Sequence, residues 1–222
     1  MAEGTLLIGT KRYSSWSLRG WLSVRLAGLT VNEEVVPLGQ DETAGLIESF
    51  SPAARVPALR HQETLIWDSL AIAEYCAELS VDLWPEDRKA RAVARSVCAE
   101  MHSGFQALRR DLPMNLGRIA RPRATPPSEE LLGDIARVEA LWTQTRARFG
   151  SEGPFLFGAA FGNTDAFYAP VVSRFLSYGI ETGPVARDYM QAVREHTLVE
   201  AWYEAAAAEP ESWRLDRYES VD

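Results

Sequence analysis

Two groups of residues near the start of the chain have the types and spacing to act on a small ligand. Tyr13-Ser14-Ser15-Trp16-Ser17-Leu18-Arg19 follows a short β-prone run, Thr5 to Gly9. It opens a stretch in which Leu18, Trp21-Leu22 and Val24 to Leu26 recur with helical period until Gly28. A group at that helix start sits where negative charge is favoured. No cysteine stands there, so no mixed disulfide can form from it. The second group is Arg55-Val56-Pro57-Ala58-Leu59, followed by Asp68-Ser69. Pro57, which has no N–H and can lie cis, leaves the N–H and C=O of Val56 open to pair with an extended peptide. Asp68-Ser69 begins a helical pattern through Leu70, Ile72-Ala73 and Tyr75-Cys76, a place for a carboxylate and an amine. Alone, either motif reads as a hairpin or an ordinary helix cap. Together they imply a small, extended, zwitterionic peptide as ligand.

The elements that position these groups follow from the pattern. Strand, loop and helix over Thr5 to Gly28 precede a second strand at Val35 to Leu38, which implies a parallel pair with a right-handed crossover. A short, poorly patterned helix spans Thr43 to Phe50, and a tight hairpin pairs Ala58 to Arg60 with Thr64 to Trp67. With the helix after Ser69 this makes βαβαββα, the thioredoxin-like plan of a mixed four-stranded sheet. Leu79 to Asp87, with Trp84-Pro85, reads as a linker, and everything after it as helical. Arg88 to Arg110 reads as one long helix, Ser128 opens a second through Phe149, and Thr164 to Tyr178 forms a third, with Pro170 expected to kink it. Helices near Val185 to Glu195 and Leu198 to Glu209 finish the fold. Arg121 to Pro127 is a basic, proline-rich loop.

Composition narrows the function. The chain has 222 residues, 46% of them hydrophobic, enough for one large domain or two small ones. A net charge of −8 argues against a general nucleic-acid-binding surface. No apolar run approaches the roughly 20 residues of a membrane helix, and Met1 to Gly4 lacks the basic start of a secretory signal, so a cytoplasmic protein is expected. Cys76 and Cys98 lie apart in helical patterns, and His61, His102 and His196 are scattered, so no metal site is expected.

Arg55-Val56-Pro57-Ala58-Leu59 and Asp68-Ser69-Leu70-Ala71-Ile72 resemble the glutathione-binding half of the glutathione transferase family, and the α/β-then-helical order matches that family along nearly the whole chain. The resemblance implies a thioredoxin-like glutathione-binding domain at 1–79, a linker at 80–87, and an all-helical domain at 88–222 carrying the electrophile site. It also implies glutathione as co-substrate, a small electrophile as partner, a cytosolic homodimer and a role in detoxification. Ser14-Ser15-Trp16-Ser17-Leu18-Arg19 is similar to the serine-rich motif of zeta-class members, the maleylacetoacetate isomerases, which carry a cysteine where this chain has Trp16. That departure bears on the isomerase reading and leaves serine-assisted chemistry intact.

The residue implied to donate a hydrogen bond to the glutathione sulfur is Ser15, with Ser14 next and Tyr13 third; helix capping is the competing role for these serines. A free thiol has a pKa of about 8.5, and one charge-assisted hydrogen bond plus the helix end supplies one or two units of lowering. By the same resemblance Gln40, or else Arg55, takes the glycine end, while Val56, Pro57, Asp68 and Ser69 hold the remainder. Trp16, Met101, His102, Phe105, Arg109 and Asn115 are implied to line the electrophile pocket. Gly162-Asn163-Thr164-Asp165 stands where the family carries a hydroxyl three residues before a buried aspartate; Gly162 weakens that cap, or Asn163 takes it over, and Asp165 is structural. Conjugation, glutathione-dependent isomerisation and a non-catalytic binding module stay open at this level.

Overall fold

In the computed structural model, which describes residues 2–221, the chain begins with β1 (Gly4–Gly9), α1 (Ser15–Leu26), β2 (Asn32–Val36), α2 (Thr43–Phe50), β3 (Ala58–His61), β4 (Thr64–Ile66) and α3 (Ser69–Leu79). The strands form one sheet in the order β2-β1-β3-β4, with β1 parallel to β2 and the other neighbours antiparallel. This is the mixed thioredoxin-like sheet expected from the pattern. Alternation along β1 sends Leu6 and Ile8 into the main core with Leu18 and Leu22 of α1, and Leu7 to the opposite face with Val36 and Ile47 of α2. Gly20 lets α1 approach the chain before β3: a Cβ added there would lie 2.7 Å from Cγ of Pro57. That contact sets the start of α1 opposite Val56.

Among the described residues seven α-helices follow: α4 (Arg88–Ser103), α5 (Gln106–Asp111), α6 (Glu129–Phe149), α7 (Asn163–Tyr178), α8 (Pro184–Arg194), α9 (Thr197–Ala207) and α10 (Asp216–Glu219). The single helix expected over Arg88 to Arg110 is therefore two. Gly104 is extended (φ −101°, ψ −166°) and Phe105 is left-handed (φ 60°, ψ 49°), so the chain turns and restarts while the Phe105 ring still reaches the core. Periodicity alone missed the break because both halves keep the same apolar stripe.

Helix α7 is the centre of the helical half and is buried along almost its whole length, with Phe175 and Tyr168 against Trp142 of α6. Asp165 anchors its start, accepting from Leu156 N at 3.1 Å and Gly162 N at 3.0 Å. Gly162 has no hydroxyl, and Asn163 does not replace it: the Asn163 amide donates to Ala73 O at 3.0 Å, tying α7 to α3. The sequence reading ended the fold with α9, but the chain continues through a 3-10 turn (Glu211–Trp213) into α10 and folds back over the first loop. There Leu215 meets Gly39, Tyr218 stacks on Tyr13 with ring centroids 5.1 Å apart, and Glu219 pairs with Arg12 at 3.1 Å.

Candidate active site

A cleft of about 600 Å³ opens between the sheet-bearing half and the helices. Three separated stretches supply one wall: Tyr13 to Trp16, Ala54 to Pro57, and Asp68-Ser69. The facing wall comes from Arg109, Pro113, Met114, Arg174 and Tyr218.

Ser14 and Ser15 are adjacent yet differ in what their hydroxyls can do. Ser14 is the N-cap of α1; its oxygen accepts from Ser17 N and its proton goes to Ser17 Oγ at 2.7 Å. Both capacities are engaged inside the turn, and Ser17 in turn accepts from Gly9 N at 2.9 Å. Ser15 Oγ instead accepts from Nη2 of Arg174 at 3.1 Å. A guanidinium cannot accept, so the Ser15 proton is free to point into the cleft. Tyr13 lines the cleft too, but its hydroxyl donates to Glu219 at 2.6 Å, and burial first, then that carboxylate, push its pKa up to about 12. It is not poised to ionise or to donate to a ligand.

The stretches around Val56 and Asp68-Ser69 keep polar groups unpaired on the cleft wall. The Val56–Pro57 bond is cis, and no turn or cap of the described residues engages the Val56 N–H or C=O. Ser69 is fully buried, and its hydroxyl has no partner among the described residues. An unpaired buried hydroxyl costs about 1–3 kcal/mol, which a ligand carboxylate at this helix start would recover. Asp68 caps α3 through Leu70 N (2.9 Å) and meets His102 Nε2 at 3.0 Å through its other oxygen. Burial lowers the His102 pKa more than Asp68 raises it, so the pair is a hydrogen bond from a neutral imidazole at neutral pH.

Not every residue singled out from the sequence reaches the cleft. Ser14, Ser15, Trp16, Arg55, Val56, Pro57, Asp68, Ser69 and Arg109 do. Gln40 does not: it is exposed, and its amide lies 3.5 Å from Ser212 O in the returning tail. Met101 and Phe105 are core residues packed within the helical half. Asn115 is buried, its Nδ2 donating to Tyr218 O at 3.2 Å and its Oδ1 accepting from Gly117 N at 2.9 Å. His102 sits behind Trp16, edge-on at 5.2 Å, and reaches the site through Asp68. Arg109 also stacks on Trp16, its guanidinium 4.8 Å from the ring, and donates to the carbonyls of Gly104 and Met101.

Arg174 and Tyr218 went unread. Arg174 lies on α7 more than 150 positions after Ser15, and its sole sequence signal is that it is the one basic residue of that helix. Arg19, fully buried, has Nε and Nη1 unpartnered among the described residues and stacks on Trp16 and Phe167. Burial and the neighbouring Arg109 and Arg174 hold its pKa well below the usual arginine range. Among the described residues, no group of three or more His, Cys, Asp or Glu is placed to hold a metal, and no helix is long and apolar enough to cross a membrane.

Comparison with known proteins follows the same lines. Residues 13–79 match the family model for the glutathione S-transferase N-terminal domain. A probable maleylacetoacetate isomerase of Caenorhabditis elegans is 33% identical over 96 residues, 42% of this chain and 44% of that protein, so the match spans less than half the relative's length. The crystal structure of maleylacetoacetate isomerase from Anaeromyxobacter dehalogenans 2CP-1 is similar over 96% of both chains, with TM-score 0.66 and 25% identity. A glutathione transferase homolog from Burkholderia gl BGR1, solved with bound glutathione, covers 93% of this chain and 99% of its own, with TM-score 0.70; at 21% identity it speaks for the fold.

Proposed function

We propose, for a chain that belongs to the cytosolic glutathione S-transferase family and is most like its zeta class, an enzyme that binds glutathione in this cleft and uses it on a small electrophile. Bound glutathione supplies the chemistry, a sulfur nucleophile that adds to an electrophilic carbon. The chain's residues do the rest. Val56 pairs with the peptide backbone, Asp68-Ser69 holds the γ-glutamyl head at the start of α3, and Arg55 faces the glycine carboxylate. Ser15 donates its free proton to the sulfur and favours the ionised form. Trp16 and Arg109 border the electrophile. In this reading 1–79 is the glutathione half, 80–87 the linker and 88–222 the electrophile half, in a cytoplasmic homodimer serving detoxification.

The observation that supports the reading most is convergence: Ser15, Val56 and the unpartnered Ser69 hydroxyl come from three stretches and face one cleft. Calorimetry with glutathione tests it directly. Binding at micromolar to millimolar concentration is expected; no binding at millimolar concentration favours the non-catalytic module.

A second reading, glutathione-dependent cis–trans isomerisation of an unsaturated acid, draws on Arg109 and Arg174, the two cations of the facing wall. The two readings separate on product analysis: an isomerase returns glutathione unchanged, and a conjugating enzyme consumes it stoichiometrically.

A further inference from the structure

We propose that Arg174 is a positioning residue for thiol activation: reaching Ser15 from α7, it holds the serine oxygen as an acceptor, turns the hydroxyl proton into the cleft and sets a positive charge behind the sulfur. The proposal rests on the reading of the cleft as a glutathione site, and it deepens that reading.

The geometry carries it. Arg174 is 5% exposed; its Nη1 donates to Leu112 O at 2.6 Å and its Nη2 to Ser15 Oγ at 3.1 Å. Held at two points, the guanidinium fork presents Nη2 to Ser15 in one orientation. The backbone N–H of Ser15 is engaged by Tyr13 O at 3.1 Å, so the side-chain proton is the one donor this residue offers the cleft. Donation into the serine oxygen polarises the O–H bond and strengthens the next hydrogen bond in the chain, the one to sulfur.

The surrounding charges leave the arginine unneutralised. The other titratable groups lining the cleft are Tyr13, Arg55, Asp68, Arg109 and Tyr218. Asp68, the one acid among them, is engaged with the α3 cap and His102. On its own side Arg174 faces Arg109, Tyr178 and Tyr218, with the buried Arg19 also within electrostatic reach; burial and Arg109 bring its pKa down to about 10, which leaves it charged at neutral pH. A positive charge fixed in a buried wall favours the anionic form of a neighbouring acid. On ionisation the thiol proton passes to solvent water, the S–H electron pair stays on sulfur, and Ser15 keeps its own proton throughout.

The test reads the ionisation of bound glutathione rather than turnover. Glutathione is bound to the wild type, Arg174→Gln, Arg174→Lys, Ser15→Ala and the Ser15→Ala/Arg174→Gln double variant. Thiolate absorbance in the ultraviolet is titrated against pH, with a melting curve for each protein. The wild type should ionise below free glutathione. Arg174→Gln should raise the midpoint by about one pH unit, a tenfold loss of thiolate well below the midpoint. In the Ser15→Ala background the same change should raise it by less, because only the direct charge effect remains.

An Arg174→Gln protein that melts earlier but ionises glutathione at the wild-type midpoint would reduce Arg174 to a prop for Leu112 and overturn the proposal. Should that variant not fold, Arg174→Lys decides. It keeps the charge but cannot hold Leu112 O and Ser15 Oγ together, so it should lose about half the depression; an unmoved midpoint overturns the proposal. If the wild type binds no thiolate, the glutathione reading falls with it. If the wild type does and no Arg174 variant shifts the midpoint, this inference falls alone.

Discussion

The two walls of the cleft are built on different principles. The wall from the sheet-bearing half is made of short stretches in which the functional atom and the element that places it are neighbours in sequence: Ser15 with the start of α1, Val56 with Pro57, Ser69 with the start of α3. The facing wall is made of residues brought together by packing alone. Arg109 to Met114, Arg174 and Tyr218 come from three stretches far apart in the chain and share no motif. The first wall offers hydrogen bonds of fixed direction and suits one constant ligand. The second offers apolar surface and charge and suits a variable one.

That contrast can be broken or sharpened in several places. The largest effect is expected at Asp165, which supports the second wall by anchoring α7. Asp165→Ala leaves two backbone N–H groups without acceptors and should cost about 3 kcal/mol in urea unfolding; a stably folded variant with wild-type melting but no turnover would contradict the structural assignment. Ser15→Ala should lower kcat/KM roughly tenfold to a hundredfold near neutral pH, with glutathione affinity within a few-fold of wild type. Full activity in that variant would move the chemistry elsewhere. Ser69→Ala should do the converse, weakening glutathione binding by about tenfold in calorimetry at unchanged kcat, the worth of one hydrogen bond to a charged group. Tyr218→Ala should raise KM for the electrophile by roughly threefold while glutathione binding holds, as expected for loss of apolar wall. If glutathione binding falls instead, the walls are not separable. Ser14→Ala, adjacent to Ser15, should cost about 1 kcal/mol of stability as a lost cap and leave activity within about threefold.

The same contrast explains what the sequence disclosed. Strand alternation at Leu6 to Ile8, the Pro57 turn and the Asp68 cap are local physics, so the mixed sheet, its parallel first pair, its hairpin and the stretches that line the sheet-side wall were readable. Gln40 failed as a ligand-facing residue because the loop after β2 is turned toward the returning tail, which no local pattern announces. Met101 and Phe105 failed as pocket residues for another reason: placing a residue on the correct helix does not say which side faces the cleft, and the break at Gly104 rotates one helix against the next. The tail itself, with Tyr218 stacked on Tyr13, is a contact across the whole length of the chain. Arg174 was hidden for the same cause, since its partner is chosen by helix packing.

The break at Gly104 also has a bearing on selectivity. A helix that stops early exposes carbonyl oxygens at its end, and Arg109 folds back onto those of Met101 and Gly104 while its plane lies on Trp16. A guanidinium tethered in this way has little freedom to reshape itself around an incoming molecule, and much of its bonding is already committed to its own backbone. What it presents to the cleft is chiefly the sign of its charge, a criterion that sorts molecules by polarity and is tolerant of their outline.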